Sequence, residues 1–306
     1  MSCFSIEIQG TRREMKKRVL IVGSGVVGRG TGKVLAGKGF RVTFTDVDPL
    51  VVSQLREEGH EAFGVDELEK PDADIFVLSV PTYVSQYDNG GPESIKMASA
   101  SVGEWLSNTS QYCLAVVRST VLPGTTEETI IPILEKYSGM TAGRDFGICV
   151  NPEYLRERHA EEDSSNPWIV VIGELDKKSG DLLQEIYHWV DCPIYRISLE
   201  GAEMQKFVHN LCNANKISFF NEIRVACQQI GLDSEQIFPL VAQSAEALWS
   251  PLYGTKDLGP FGGSCLPKDM VAFLSWAKER GIATPLVSAV LKVNEAFIKM
   301  NITRPR

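Results

Sequence analysis

The chain has 306 residues, room for about two domains at roughly 150 residues each. Hydrophobic residues make up 43% and charged residues 23%, with 15 prolines, a composition that excludes a disordered or fibrous chain and fits a globular enzyme. Lys and Arg total 31 against 39 Asp and Glu, a net charge of -8. With no basic stripe to follow a phosphate backbone, nucleic acid is not an expected partner, and an anionic small substrate would need locally placed cations or backbone amides.

Residues 1–15 read as an N-terminal tail with no apolar core and cleavage site, so no secretory leader is expected. From residue 18 to about 197, β-branched runs at 19–22, 42–45, 75–80, 114–117, 146–150, 169–172 and 194–197 alternate with helical patterns. That alternation predicts βαβ units and an α/β fold over 16–198: a doubly wound, mostly parallel, Rossmann-like sheet. The longest apolar runs, such as Ile75-Phe76-Val77-Leu78, are strand-sized and far short of the ~20 residues that cross a bilayer, so no membrane helix is expected. After Ile197 the strand signal stops. Residues 199–230 predict one long helix ended by Gly231, with further helices at 233–243, 267–279 and 285–303, making 199–306 an all-helical second domain. Two loops punctuate the pattern: Asn89-Gly90-Gly91-Pro92, and 249–264, rich in Gly, Pro and Ser and long enough to suggest function. The seven cysteines are scattered and form no C-x-x-C pair, which implies reduced thiols, a cytoplasmic location and no metal site.

Val19-Leu20-Ile21-Val22 leads into Gly23-Ser24-Gly25-Val26-Val27-Gly28 and then a helical run, the context a dinucleotide fingerprint requires. Gly23 would make the turn, Gly25 admit the pyrophosphate, and Gly28 let helix and strand pack closely. Asp46 closes the next run, 23 residues after Gly23, where a carboxylate would accept the adenosine ribose hydroxyls and repel a 2′-phosphate; NAD is favoured over NADP. Val80-Pro81-Thr82 and Arg118-Ser119-Thr120 follow strand runs, at the edge where parallel sheets bind ligands.

Gly262-Gly263-Ser264-Cys265-Leu266-Pro267-Lys268-Asp269 is the second chemical signal. Pro267 suits the first turn of a helix, so Cys265 sits just before a helix N-terminus with Lys268 nearby, a setting that favours a thiolate nucleophile. Lys206 and Asn210, spaced i, i+4 among small and apolar neighbours, share a helix face and could steady an alkoxide or oxyanion. Glu153 and Glu157, in Asn151-Pro152-Glu153-Tyr154-Leu155-Arg156-Glu157, are candidate general acids or bases. The four histidines share no catalytic or metal spacing.

Together these motifs resemble the UDP-glucose/GDP-mannose dehydrogenase family over residues 17–295, with the stretches 118–125 and 261–269 closer to the GDP-mannose branch. The resemblance implies NAD-dependent four-electron oxidation of the C6 hydroxyl of a nucleotide sugar to the uronic acid, in polysaccharide biosynthesis. It implies a catalytic set of Cys265 (thiohemiacetal and thioester), Thr120 and Asp269 (water), Glu153 (base), and Lys206 with Asn210 (oxyanions). NAD would contact Gly23, Gly25, Val26, Val27, Gly28, Asp46, Val80, Pro81, Thr82, Ser119, Thr120 and Glu157. The sugar nucleotide would contact Glu153, Tyr154, Leu155, Lys206, Asn210, Lys256, Phe261 and Gly262. The resemblance also implies a homodimer built on the long helix.

Two departures stand out: Arg158 where the family shows Gly or Ser, and Trp249 where UDP-glucose members place an Arg sixteen residues before the cysteine. Family members carry a third, C-terminal nucleotide-binding domain, which the 306 residues are expected to lack. The alternatives are a two-electron hydroxyacid or 6-phosphogluconate-like dehydrogenase, which would not need Cys265, and an NAD-binding relic without turnover.

Overall fold

A computed structural model describes residues 17–82, 92–155, 160–251, 253–254, 260–262 and 266–300. In chain order the elements are β1 (Arg18–Val22), α1 (Val26–Gly37), β2 (Arg41–Asp46), α2 (Pro49–Glu57), β3 (Glu61–Gly64), β4 (Ile75–Leu78), α3 (Pro92–Ser107) and β5 (Leu114–Val117). There follow α4 (Ile131–Ser138), β6 (Gly147–Val150), α5 (Ala160–Ser165), β7 (Val170–Glu174), α6 (Lys177–Ile186) and β8 (Ile194–Ser198). The remaining helices are α7 (Leu199–Gln229), α8 (Ser234–Ser244), α9 (Glu246–Trp249), α10 (Leu266–Glu279) and α11 (Pro285–Lys299). Two compact units divide within α7, between Val208 and His209.

In the first unit, the described strands form one eight-stranded sheet in the order β3-β2-β1-β4-β5-β6-β7-β8, parallel throughout except between β6 and β7. This is the doubly wound sheet expected from the alternating runs, which fall within two residues of seven of its strands. The eighth, β3, carried no such signal: Glu61-Ala62-Phe63-Gly64 has no β-branched residue and only Ala62 is buried, as suits a short edge strand.

Strands β4, β5 and β6 are buried at every position, because helices cover both faces. Alternate side chains supply two cores. Leu20, Val22, Phe76, Leu78, Ala115 and Val117 pack with Trp105 and Leu106 of α3, Leu134 of α4 and Leu199 of α7. Val19, Ile21, Ile75, Val77 and Val116 pack with Leu35 of α1, Leu55 of α2, and Leu183 and Ile186 of α6. Each such large side chain contributes roughly 1.5–3 kcal/mol on burial.

The ladder register sets Val22 opposite both Thr45 and Leu78, Leu78 opposite Val117, and Val117 opposite Val150. Five strands therefore reach one line, and the residues just past it, Gly23, Asp46, Ser79, Arg118 and Asn151, lie side by side. Strand order reverses between β1 and β4, the switch point where such sheets open a ligand crevice. At the far edge, β8 passes into α7 with no residue between. Its last residue, Ser198, caps the helix: Ser198 Oγ accepts the Gly201 N–H at 3.1 Å.

The second unit is helical. Gly231, with φ of 73°, terminates α7, and the Leu232 N–H donates back to the Cys227 carbonyl at 2.9 Å. Ala226, Ala277 and Ile282 form a small core with Trp276. Glu222 of α7 accepts the Leu286 and Val287 N–H groups at 2.7 and 3.0 Å, holding the start of α11. No described helix is long and apolar enough to cross a membrane.

Candidate active site

The crevice begins with the β1–α1 turn. Gly23 has φ of 89°, and a Cβ there would lie 2.5 Å from the Ser79 carbonyl oxygen at the end of the neighbouring strand. A Cβ on Gly28 would lie 2.0 Å from the Gly23 carbonyl oxygen, so strand and helix approach as closely as backbone allows. At Gly25 the same construction meets nothing within 4 Å. Among the described residues the space beside Gly25 is therefore open, no side chain caps the first turn of α1, and no acidic residue occupies that turn. Its free N–H groups, including those around Val26 and Val27, and the positive end of the helix dipole therefore face a volume suited to a pyrophosphate.

Asp46 is aimed by that turn. Its Oδ2 accepts the Ser24 N–H at 2.6 Å and its Oδ1 the Asp48 N–H at 3.0 Å, leaving further lone pairs for hydroxyl donors beside the glycines.

The next two loops are stitched together. Ser119 Oγ accepts the Val80 N–H at 2.9 Å and donates to the Val80 carbonyl at 2.8 Å, while Thr82 Oγ1 donates to the Thr120 carbonyl. Val80-Pro81-Thr82 and Ser119-Thr120 thus form one ledge. Arg118 faces the other way, donating from Nε to Thr31 Oγ1 of α1 at 3.0 Å and from Nη1 to Asn151 Oδ1 and the Tyr187 hydroxyl. Asn151 in turn donates to the Val171 carbonyl at 2.8 Å. A guanidinium spans α1 and the end of β6, fixing the loop that carries Glu153.

Glu153 meets Lys206 in a buried ion pair. Lys206 Nζ lies 3.0 Å from Glu153 Oε1 and also donates to the Glu153 carbonyl; the two side chains are 8% and 14% exposed. Glu153 Oε2 accepts the Leu155 N–H at 2.6 Å. The ammonium sits 5.4 Å from the centre of the Tyr154 ring, whose hydroxyl donates to Gln205 Oε1 and whose burial pushes its pKa up to about 12. An ammonium has three donors. Two go to Glu153, and the described residues offer the third no acceptor. A smaller cleft adjoins the pair, bounded by Ser119, Thr120, Val121, Val150, Glu203 and Lys206. A larger one lies against Glu153, Tyr154, Leu155 and Trp168, and Arg118 and Pro152 wall both.

Residues 52–191 match the NAD binding domain of the UDP-glucose/GDP-mannose dehydrogenase family and residues 200–296 its central domain. Residues 13–83 also match the NAD binding domain of S-adenosyl-L-homocysteine hydrolase. A GDP-mannose 6-dehydrogenase of Pseudomonas putida is 35% identical over 302 residues, 92% of this chain and 69% of that protein. The chain belongs to the UDP-glucose/GDP-mannose dehydrogenase family.

Solved structures agree with this membership. A ternary complex of GDP-mannose dehydrogenase from Pseudomonas aeruginosa superposes with a TM-score of 0.84 at 32% identity, covering 92% of this chain and 69% of that one. A UDP-glucose dehydrogenase from Pyrobaculum islandicum gives 0.70 at 29% identity, covering 94% and 70%.

Within this family member, the first unit brings together Gly23, Gly25, Gly28 and Asp46 as one turn, Val80 to Thr82 with Ser119 and Thr120 as one ledge, and Glu153 with Lys206 as one pair. Asn210, Phe261, Gly262 and Asp269 belong to the second unit. There Asn210 and Asp269 are exposed, Asp269 lies 3.6 Å from Lys268, and the Phe261 carbonyl accepts from Asn294 at 3.1 Å. Cys265, Glu157 and Lys256 lie outside the described residues.

Two residues hold more of this sheet edge together than their motifs suggest. Arg118 is the strut described above. Glu203, one turn before Lys206 on α7, is only 2% exposed, and its carboxylate accepts the Gly124 N–H at 2.6 Å and the Thr126 N–H at 2.9 Å. Burial pushes its pKa up, against the backbone bonds that favour the ionised form. The available signal was a carboxylate three residues before Lys206 in a run of small and apolar residues.

Proposed function

We propose that this chain carries out the NAD-dependent, four-electron oxidation of the C6 hydroxyl of a nucleotide sugar to the uronic acid, with GDP-mannose the first substrate to test and UDP-glucose the second. The reading is carried by the buried Glu153–Lys206 pair at the carboxyl edge of the sheet, in the same unit as the open glycine turn. The turn at Gly23 to Gly28, Asp46 and the ledge of Val80, Pro81, Thr82 and Ser119 would hold NAD, and Glu157 is proposed as a further NAD contact. When bound, NAD supplies the acceptor for hydride.

Thr120 and Asp269 hold the water that takes the C6 hydroxyl proton as hydride departs. The Cys265 thiolate then adds to the aldehyde carbon: an S–C bond forms, and the carbonyl electron pair becomes an alkoxide that the third Lys206 N–H and Asn210 stabilise. Loss of a second hydride leaves a thioester. Water deprotonated by Glu153 attacks it, the C–S bond breaks, and the thiolate is restored. Overall, alcohol, water and two NAD give carboxylate, two NADH and protons. Tyr154, Leu155, Lys256, Phe261 and Gly262 line the sugar nucleotide.

Exposed apolar residues along α7, Met204 and Val208 in the first unit and Leu211, Ile217 and Val225 in the second, support assigning this helix to a homodimer interface, which light scattering tests. The cysteine pattern supports a cytoplasmic location.

The decisive experiment counts NADH per sugar over a panel of nucleotide sugars. Two are expected, and Cys265→Ala is expected to stop acid formation. One NADH per turnover, with activity unaltered in that variant, would place the chain with the two-electron dehydrogenases instead.

A further inference from the structure

We propose that Glu203 is a positioning residue for the dehydrogenase reaction, holding the Thr120 loop in register with Lys206 through the Gly124 and Thr126 backbone. The proposal rests on the reading of Thr120 and Lys206 given above.

After Thr120 the chain turns sharply. Leu122-Pro123-Gly124-Thr125 closes with the Thr125 N–H on the Leu122 carbonyl at 3.0 Å, and Gly124 takes φ of 86°, so Pro-Gly forms a type II turn. The helical segment that continues into α4 begins at Thr126. Glu203 reaches this point from α7, and each of its oxygens takes one backbone N–H. One helical turn later on α7, Lys206 reaches the neighbouring loop at Glu153. Two buried charges of opposite sign, spaced i, i+3, thus grip the two loops that flank the smaller cleft, and both line it.

On its other side the Thr120 carbonyl accepts from Thr82, and the preceding Ser119 is tied to Val80. The Glu203 bonds oppose movement of this loop away from α7. A buried carboxylate costs several kcal/mol of desolvation, so stability alone would be served as well by an apolar side chain and a self-capped turn. What the carboxylate adds is a fixed distance between two segments proposed to act on one reacting carbon. A displacement of about 1 Å at such a point can cost on the order of 100-fold in rate.

Glu222 is a built-in control. It performs the same backbone capture at the start of α11, in the other unit. Glu203→Gln keeps shape but turns an amide N–H2 toward a backbone N–H. The test compares Glu203→Gln with Glu222→Gln in the full chain, measuring unfolding midpoint, NADH per sugar, kcat and both KM values with GDP-mannose and UDP-glucose.

The expected result is a lowered midpoint in both variants, with kcat reduced about 10- to 100-fold at near-constant KM in Glu203→Gln only, and partial recovery in Glu203→Asp. If Glu203→Gln does not fold, Glu203→Asp against Glu222→Asp carries the same comparison. Equal midpoint losses with kcat per folded molecule unchanged in both would overturn the proposal and leave the dehydrogenase reading intact. A wild-type chain that turns over no nucleotide sugar overturns the reading itself, and the role of Glu203 with it.

Discussion

The glycine turn and the α7 clamp sit on the same sheet edge and are built in opposite ways. At Gly23, Gly25 and Gly28 geometry is set by leaving atoms out: two of the three positions have no room for a Cβ, and the third keeps a volume open. At Glu153, Glu203 and Lys206 geometry is set by burying charge and satisfying it across the chain. The first device is local and inexpensive, whereas the second is non-local and fails badly when one partner is removed.

The largest effect should therefore come from the clamp. Lys206→Met strands a buried carboxylate, and a stability loss of about 3–5 kcal/mol with no turnover is expected from urea unfolding and NADH assay. Replacing both members, Lys206→Met with Glu153→Leu, should restore most of the stability and none of the activity; a double variant as unstable as the single would show that the pair does not couple. Next comes Gly28→Ala, whose Cβ would lie 2.0 Å from a backbone oxygen. Forcing the α1 turn off β1 should cost about 1–3 kcal/mol and weaken NAD binding at least about tenfold by calorimetry.

Gly25→Ala separates space for fold from space for ligand: stability should change by less than about 1 kcal/mol while NAD affinity still falls. Unchanged NAD affinity would mean that the open volume is not the cofactor seat. The smallest effect belongs to the half-exposed pair Arg18–Asp74, 2.6 Å apart. Burial pushes the Asp74 carboxyl up, but the hydrogen bonds and charge of Arg18 outweigh it and hold the group below the ordinary carboxylate range. The folded pKa is depressed, so the contribution is present above the unfolded value and lost as pH falls through the folded one. Asp74→Asn should lose under about 1 kcal/mol at neutral pH, and the gap from wild type should close in acid melts.

These two devices also differ in how far the sequence discloses them. Gly23-Ser24-Gly25-Val26-Val27-Gly28 is legible because strand, turn and helix are contiguous and each glycine has a steric reason. The sheet is legible for the same reason, apart from β3, whose half-exposed Glu-Ala-Phe-Gly carries no periodic signal. The pairing of Lys206 was not legible. Spacing set it beside Asn210 on one helix face, but its bonds run to Glu153, 53 residues away, and that contact depends on how the β6 loop meets α7. Glu203 and Arg118 were hidden in the same way: both act on backbone or polar groups remote in sequence, which no local pattern encodes.

Because β8 becomes α7 without an intervening residue, the sheet sets the rotational phase of the helix. The β8 register with β7, ending at Ser198 opposite Glu174, dictates which compass direction each α7 side chain takes. Glu203 and Lys206 point at their respective loops only in that phase. One residue added at the junction would turn the helix by about 100° and sweep both charges off their targets, so the joint works as a keyed coupling, intolerant of any change in count.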